Sequence, residues 1–167
     1  MKRQLNCSVI LVAHSVCCEH EEELIRNSEA RNFGAQYTIL LVEDETFVRQ
    51  ATAAALRSCG YIVLTAKDGG GALEICRDRS KPIDLLLSDI VMPGMSGGDL
   101  AKAFQAMHPQ ARVLLMSGYA EELAPYMSLT HSTHHLRKPF SVGTLIEAVR
   151  EALNAEVLSS RSRAMRI

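Results

Sequence analysis

The stretch Leu85-Leu86-Leu87-Ser88-Asp89-Ile90-Val91-Met92-Pro93-Gly94-Met95-Ser96-Gly97 constrains the fold of this chain more than any other. It opens as a short continuous apolar run, the pattern of a strand covered on both faces, and sets one acid, Asp89, where the run gives out. Pro93, Gly94 and Gly97 follow, residue types that set backbone torsions, so the chain turns sharply just beyond the acid. Asp89 then stands at the carboxyl end of a central strand, on the rim where open α/β sheets carry their chemistry. Taken alone, such an acid is as readily a polar strand end as a functional group.

The rest of the chain repeats the strand-then-turn pattern. Tyr37 to Val42 is an apolar strand that runs into three acids, Glu43, Asp44 and Glu45. A helix follows from about Phe47 to Cys59, with Val48, Ala51, Ala55 and Leu56 on its inward face and Gly60 at a left-handed C-terminal cap. Tyr61 to Ala66 is a β-branched strand, Asp68 to Gly71 a turn, and Ala72 to Arg79 a modest helix with Leu73 and Cys76 inward. After the Asp89 stretch, Gly98 to His108 is helical, with Leu100, Ala103, Phe104 and Met107 as its stripe and Pro109 as its stop. Ala111 to Met116 is a fourth strand, ending at Ser117-Gly118. Glu121 to Met127 predicts a short helix interrupted by Pro125. Leu136 marks a weak fifth strand suited to an edge, ending at Arg137-Lys138-Pro139-Phe140. Ser141 caps a closing helix whose inward stripe is Val142, Leu145, Ile146, Val149 and Leu153. Strands alternating with helices over short connections give an α/β, doubly wound five-stranded parallel sheet.

A chain of 167 residues, 47% of them hydrophobic, buries one core, so one domain with tails is expected: a leader at 1–36, a domain at 37–153 and a flexible basic tail at 154–167. The net charge of −1 gives no global attraction to nucleic acid or to anionic membrane. Met1-Lys2-Arg3 and the apolar residues to Cys18 faintly resemble a secretory signal. Asn6 and His14 interrupt that run, and Glu19 to Glu23 is acidic where a mature chain would begin. Five scattered cysteines, Cys7, Cys17, Cys18, Cys59 and Cys76, form no CxxC unit and read as reduced thiols of a cytoplasmic protein, with Cys59 and Cys76 buried or half-buried in helices. The leader cluster His14, Cys17, Cys18 and His20 fits no zinc spacing, and His131, His134 and His135 read as part of a polar loop.

In a parallel sheet the residues just past each strand converge on one edge. That edge gathers Glu43 and Asp44, Asp89, Ser117 and Lys138. Three carboxylates in one place repel unless a cation enters, and a hard oxygen donor set suits Mg²⁺. Lys138 can pair with Asp89, and later with a phosphoryl group on it, while Ser117 can donate its hydroxyl. These are the parts that phosphoryl transfer to a carboxylate asks for.

Through Leu41-Val42-Glu43-Asp44-Glu45, Ser88-Asp89 to Gly97, Met116-Ser117-Gly118-Tyr119 and Lys138-Pro139-Phe140, residues 37–153 resemble the receiver domain of two-component response regulators. The wording of these motifs is closest to receivers of hybrid sensor histidine kinases. The resemblance implies a flavodoxin-like sheet of order 2-1-3-4-5, and Asp89 as phosphoacceptor from a phosphohistidine on a sensor histidine kinase or histidine phosphotransfer protein. It implies Mg²⁺ held by Glu43, Asp44, Asp89 and the Val91 backbone carbonyl. It also implies Lys138 beside the phosphoryl group and Ser117 as a switch hydroxyl that shifts the face made by the fourth helix, fifth strand and fifth helix, a face through which a homodimer can form. Such a domain is a signalling module rather than an enzyme, in the cytoplasm, touching neither membrane nor nucleic acid directly. Neither terminal segment is long enough for a helix-turn-helix domain.

One departure is His135, three places before Lys138, where the family usually has an aromatic switch partner. Val91 and Tyr119 flank the site and are not residues that orient an attacking water, so a slowly lost phosphoryl group is expected. Two other readings compete. An aspartyl-nucleophile phosphatase wants a second acid two places after the nucleophile, where Val91 stands. A pseudo-receiver acting as a binding module without phosphorylation does not need the full set of acids, hydroxyl and lysine.

Overall fold

A computed structural model describes residues 37–78, 80, 82–119 and 133–164, with side chains to residue 154. Five strands, β1 (Thr38–Val42), β2 (Ile62–Ala66), β3 (Leu85–Asp89), β4 (Arg112–Ser117) and β5 (Thr133–Arg137), form one sheet in the order β2-β1-β3-β4-β5. Every neighbouring pair is parallel. The described helices are α1 (Thr46–Ser58), α2 (Gly69–Arg77), α3 (Gly97–Met107) and α4 (Val142–Ala164).

Alternation along the strands sorts the core into two layers. Ile39 and Leu41, Leu85 and Leu87, Leu114 and Met116 face α1 and α4, packing with Leu56, Leu145 and Val149. Leu40 and Val42, Leu86, Val113 and Leu115 face the other way, onto Ala72 and Cys76 of α2 and Leu100 and Phe104 of α3. β1 and β3 are buried along their whole length, as strands covered on both faces must be. The outer strands are not: β2 buries only Val63 and Ala66, and β5 only Leu136. The thin apolar signal around Leu136 thus belongs to an edge, as its sequence suggests.

The helix starts differ from the sequence pattern in instructive ways. α2 begins at Gly69 and takes in the three glycines that read as a turn. The Asp68 carboxylate accepts from Gly71 N at 2.8 Å and caps it. Gly69 lies so close to Met95 that an added Cβ would stand 2.9 Å from the Met95 Cβ, a packing reason for glycine there that overrides propensity. α3 is capped by Ser96, whose Oγ accepts from Asp99 N at 3.1 Å. α4 is capped by Ser141, whose Oγ accepts from Thr144 N at 3.1 Å. Gly60, with φ 89°, closes α1 as expected.

Several inward assignments change. In α1 the buried residues are Val48, Thr52, Ala53 and Leu56, with Ala51 and Ala55 half-buried, because the stripe is rotated toward the strand beneath it. Val142, the first residue of α4, is 47% exposed, and Leu145 is the first residue of the helix to reach the core. Of the two described cysteines, Cys59 is exposed and Cys76 is buried. The α4 backbone continues to Ala164, through residues whose polarity suggests a tail. Ala155, Glu156, Leu158 and Arg161 are good helix formers, and no glycine or proline stands between 154 and 164 to stop them. The leader and the expected helix at Glu121 to Met127 lie outside the described residues.

Candidate functional site

The parallel sheet delivers its strand ends to one rim, and the acids and the lysine meet there. Lys138 leaves β5 with its backbone N–H donating to Ser117 O at 2.7 Å, which fixes where its side chain starts. Its Nζ then donates to Asp89 Oδ2 at 2.7 Å and to Glu43 Oε2 at 2.9 Å. Glu43 is 2% exposed and Lys138 9%, so both contacts form away from water. The Asp44 carboxylate completes the group: one oxygen from each of Glu43, Asp44 and Asp89 lies within 4.8 Å of the others.

One ammonium shared between two buried acids leaves the centre with excess negative charge, and the proton affinities show it. Burial pushes the Glu43 carboxyl up from its usual 4.5; Lys138 pulls it back and Asp89 adds to the rise, with the net direction upward. Burial pulls the Lys138 ammonium down, but the Asp89 and Glu43 carboxylates more than offset this and raise it above 10.5. Adding Asp44 deepens the negative charge. Hard oxygen donors at this spacing, with surplus negative charge and an open side at the exposed Asp44, fit a divalent cation of the Mg²⁺ type.

The β3–α3 turn is held tightly against the acid. Val91 N donates to Asp89 Oδ1 at 3.3 Å, and Gly97 N donates to Ile90 O at 3.0 Å. Gly97 approaches the Asp89 peptide so closely that a Cβ would stand 2.8 Å from the Asp89 carbonyl carbon and closer still to its oxygen. Gly94, at φ 82°, makes the turn that returns the chain to α3. Ser88 Oγ donates to Asp89 O at 2.9 Å from within the core.

Ser117 ends β4 fully buried, paired with Arg137 in the ladder, and its carbonyl accepts from Lys138 N. Its hydroxyl donates to Tyr119 O at 2.6 Å and accepts from Tyr119 N at 3.1 Å, so it is engaged with its own loop. His135 pairs with Leu115 across the β4–β5 ladder, half-buried, and burial followed by neighbouring His134 lowers its pKa. Its Nδ1 is buried with no hydrogen-bond partner among the described residues. Val91 and Tyr119, just beyond the ends of β3 and β4, and Phe47 in the first turn of α1 are exposed at 58%, 69% and 81%.

Arg49 carries no expectation from the sequence, yet it grips the acidic turn. Its Nη1 donates to Glu43 O at 2.6 Å and Asp44 O at 3.2 Å. The only sequence signal for it is a basic residue one turn into the helix that follows the acids.

A family model described as the response regulator receiver domain matches residues 39–150. The sensor kinase CckA of Brucella abortus is 37% identical over 129 residues, which cover 77% of this chain and 14% of CckA. The response regulator receiver protein CpdR of the same organism is 34% identical over 118 residues, 70% of this chain and 97% of CpdR. This chain thus spans a small part of the one relative and nearly all of the other. Among solved structures, the receiver domain of hybrid histidine kinase CckA is 40% identical with a TM-score of 0.59, covering 70% of this chain and 98% of that one. A chemotaxis response regulator, CheY4 of Vibrio cholerae, is 28% identical with a TM-score of 0.63, covering 70% and 98%. The 2-1-3-4-5 sheet is the flavodoxin-like arrangement these proteins share. With matching motifs, sheet order and family model, the chain belongs to the response regulator receiver domains of two-component signalling.

Proposed function

We propose that Asp89 accepts a phosphoryl group from a phosphohistidine on a sensor histidine kinase or histidine phosphotransfer protein, within a receiver unit spanning residues 37–153. The observation that carries this is the Lys138 ammonium bridging Asp89 and Glu43 at 2.7 and 2.9 Å, with Asp44 beside them. An Asp89 carboxylate oxygen attacks phosphorus, the P–N bond of the donor breaks, and the imidazole leaves with the electron pair and takes up a proton. Lys138 holds Asp89 in place before transfer and pairs with a phosphoryl oxygen after it. Glu43 and Asp44, with Asp89 and the Val91 carbonyl, hold Mg²⁺, which supplies positive charge for the phosphoryl oxygens. Ser117 exchanges its bonds to Tyr119 for one to the phosphoryl group, and the released loop biases the surface formed with β5 and α4, where His135 sits. That surface is the output face and the site of any homodimer. The domain signals rather than turning over substrate, and it works in the cytoplasm; among the described residues no helix is long and apolar enough to cross a membrane.

The test is incubation of the chain and of Asp89→Asn with Mg²⁺ and a small phosphodonor. Acid-stable, base-labile label on the wild type alone is the expected result. Label on both proteins, or on neither, removes the assignment.

A further inference from the structure

Three helices open on side-chain caps, at Asp68, Ser96 and Ser141, but α1 does not: Glu45 at its N-cap makes no side-chain cap hydrogen bond. Arg49 reaches back from within the helix instead. Nη1 donates to the Glu43 carbonyl at 2.6 Å and to the Asp44 carbonyl at 3.2 Å, and Nη2 donates to Thr46 Oγ1 at 3.3 Å. The carbonyl of residue 43 belongs to the peptide plane before the Asp44 Cα, and the carbonyl of residue 44 to the plane after it. Tying both planes to one flat guanidinium restrains φ and ψ of Asp44 together, and so the direction of its Cα–Cβ bond.

Asp44 needs such a restraint more than its neighbours do. Glu43 and Asp89 are each gripped by Lys138. Asp44 is exposed, and among the described residues its carboxylate has no hydrogen bond or ion pair. No side-chain partner therefore sets its aim, which starts from the direction of its Cα–Cβ bond. We infer that Arg49 is a positioning residue for the acidic centre, holding the turn that aims the Asp44 carboxylate at the cation. This rests on the reading of Glu43, Asp44 and Asp89 as the Mg²⁺ site.

Without Arg49, the turn must be ordered when the cation binds. Ordering about one residue costs roughly 1–2 kcal/mol, which corresponds to about tenfold in affinity. The experiment is a Mg²⁺ titration of the full chain, followed by amide NMR shifts, for wild type, Arg49→Ala, Arg49→Lys and Asp44→Asn, and for Arg49→Ala combined with Asp44→Asn. Urea unfolding without Mg²⁺ runs in parallel. The inference expects about tenfold weaker Mg²⁺ binding in Arg49→Ala, and a smaller loss in Arg49→Lys, which keeps a charged donor but not the planar guanidinium. It expects less than about twofold further loss when Arg49→Ala is added to Asp44→Asn, because the two residues act through one path. Should Arg49→Ala not fold, Arg49→Lys carries the same comparison, as a measurable loss that vanishes in the Asp44→Asn background. An Mg²⁺ affinity within twofold of wild type, or an undiminished loss in the Asp44→Asn background, overturns it. A reduced urea midpoint with unchanged affinity also overturns it, because the role is then only structural. Those results leave the phosphoacceptor reading standing, whereas a wild type that binds no Mg²⁺ and takes no label removes that reading itself.

Discussion

Replacing Lys138 with Met keeps the length of the side chain and deletes its charge. The ammonium lies 2.7 and 2.9 Å from two carboxylate oxygens. At an effective dielectric of about 20, attraction at such separations is roughly 6 kcal/mol per pair. Most of that is offset by dehydration of three charged groups and by repulsion between the acids. What remains in Lys138→Met is a pair of acids at a poorly hydrated rim without their cation, and breaking a buried pair in this way costs about 3–5 kcal/mol. The loss should depend on pH in a defined direction. Glu43 already sits above its usual 4.5, chiefly from burial, and without Lys138 only the Glu45 backbone N–H still opposes that rise. A carboxyl with a raised folded-state pKa resists ionisation in the fold, so its destabilising effect is absent below its unfolded value and grows as pH rises through the folded one. The deficit of the variant should therefore be large near pH 7.5 and shrink near pH 5. The raised Lys138 works at the other end: its contribution is complete below about 10.5 and is lost as pH climbs through its folded value, so wild type converges on the variant in alkali as well. Urea unfolding followed by circular dichroism, at several pH values without Mg²⁺, measures all of this. A loss below about 1 kcal/mol at neutral pH, or one that does not shrink on acidification, would show that the three charges are not coupled as described.

Gly97→Ala should cost about 3 kcal/mol or more, because its Cβ would enter the Asp89 peptide and the clash is with backbone that cannot swing aside; a urea midpoint equal to wild type refutes the close approach. The phosphoryl group on Asp89 should outlast seconds by a wide margin in Mg²⁺. Val91 and Tyr119 stand exposed beside the site, and an apolar side chain and a phenol have little power to orient a hydrolytic water. A label that decays within seconds contradicts this.

The sheet and the convergence of acids and lysine are legible in the sequence because they depend on features that survive in one dimension; the strand order comes only with the family resemblance. Continuous apolar runs need two covered faces, as Ile39 to Val42 and Leu85 to Leu87 have, and parallel strands must send Glu43, Asp89, Ser117 and Lys138 to the same rim. Helix faces are less legible. Small residues carry little periodic signal, so the pattern points Ala51 and Ala55 inward where Thr52 and Ala53 are buried. Val142 fits the stripe of α4 but, as the first residue of the helix, stays exposed. The glycines at 69–71 read as a turn because propensity is local, whereas the Asp68 cap and the contact with Met95 depend on three dimensions. Arg49 is invisible for a related reason: its partners are backbone carbonyls, and any residue type supplies those.

β5 is fastened to the body by modest means: one deeply buried apolar side chain, Leu136, a single ladder to β4, and the charged reach of Lys138 just past its end. The outermost strand is thus moored to the first and third by the same ammonium that reports the charge at Asp89. Whatever alters the negative charge at that carboxylate changes the tension on the mooring directly. The border of the sheet can sense events at its centre across a single side chain, without a relay of rearrangements through the core.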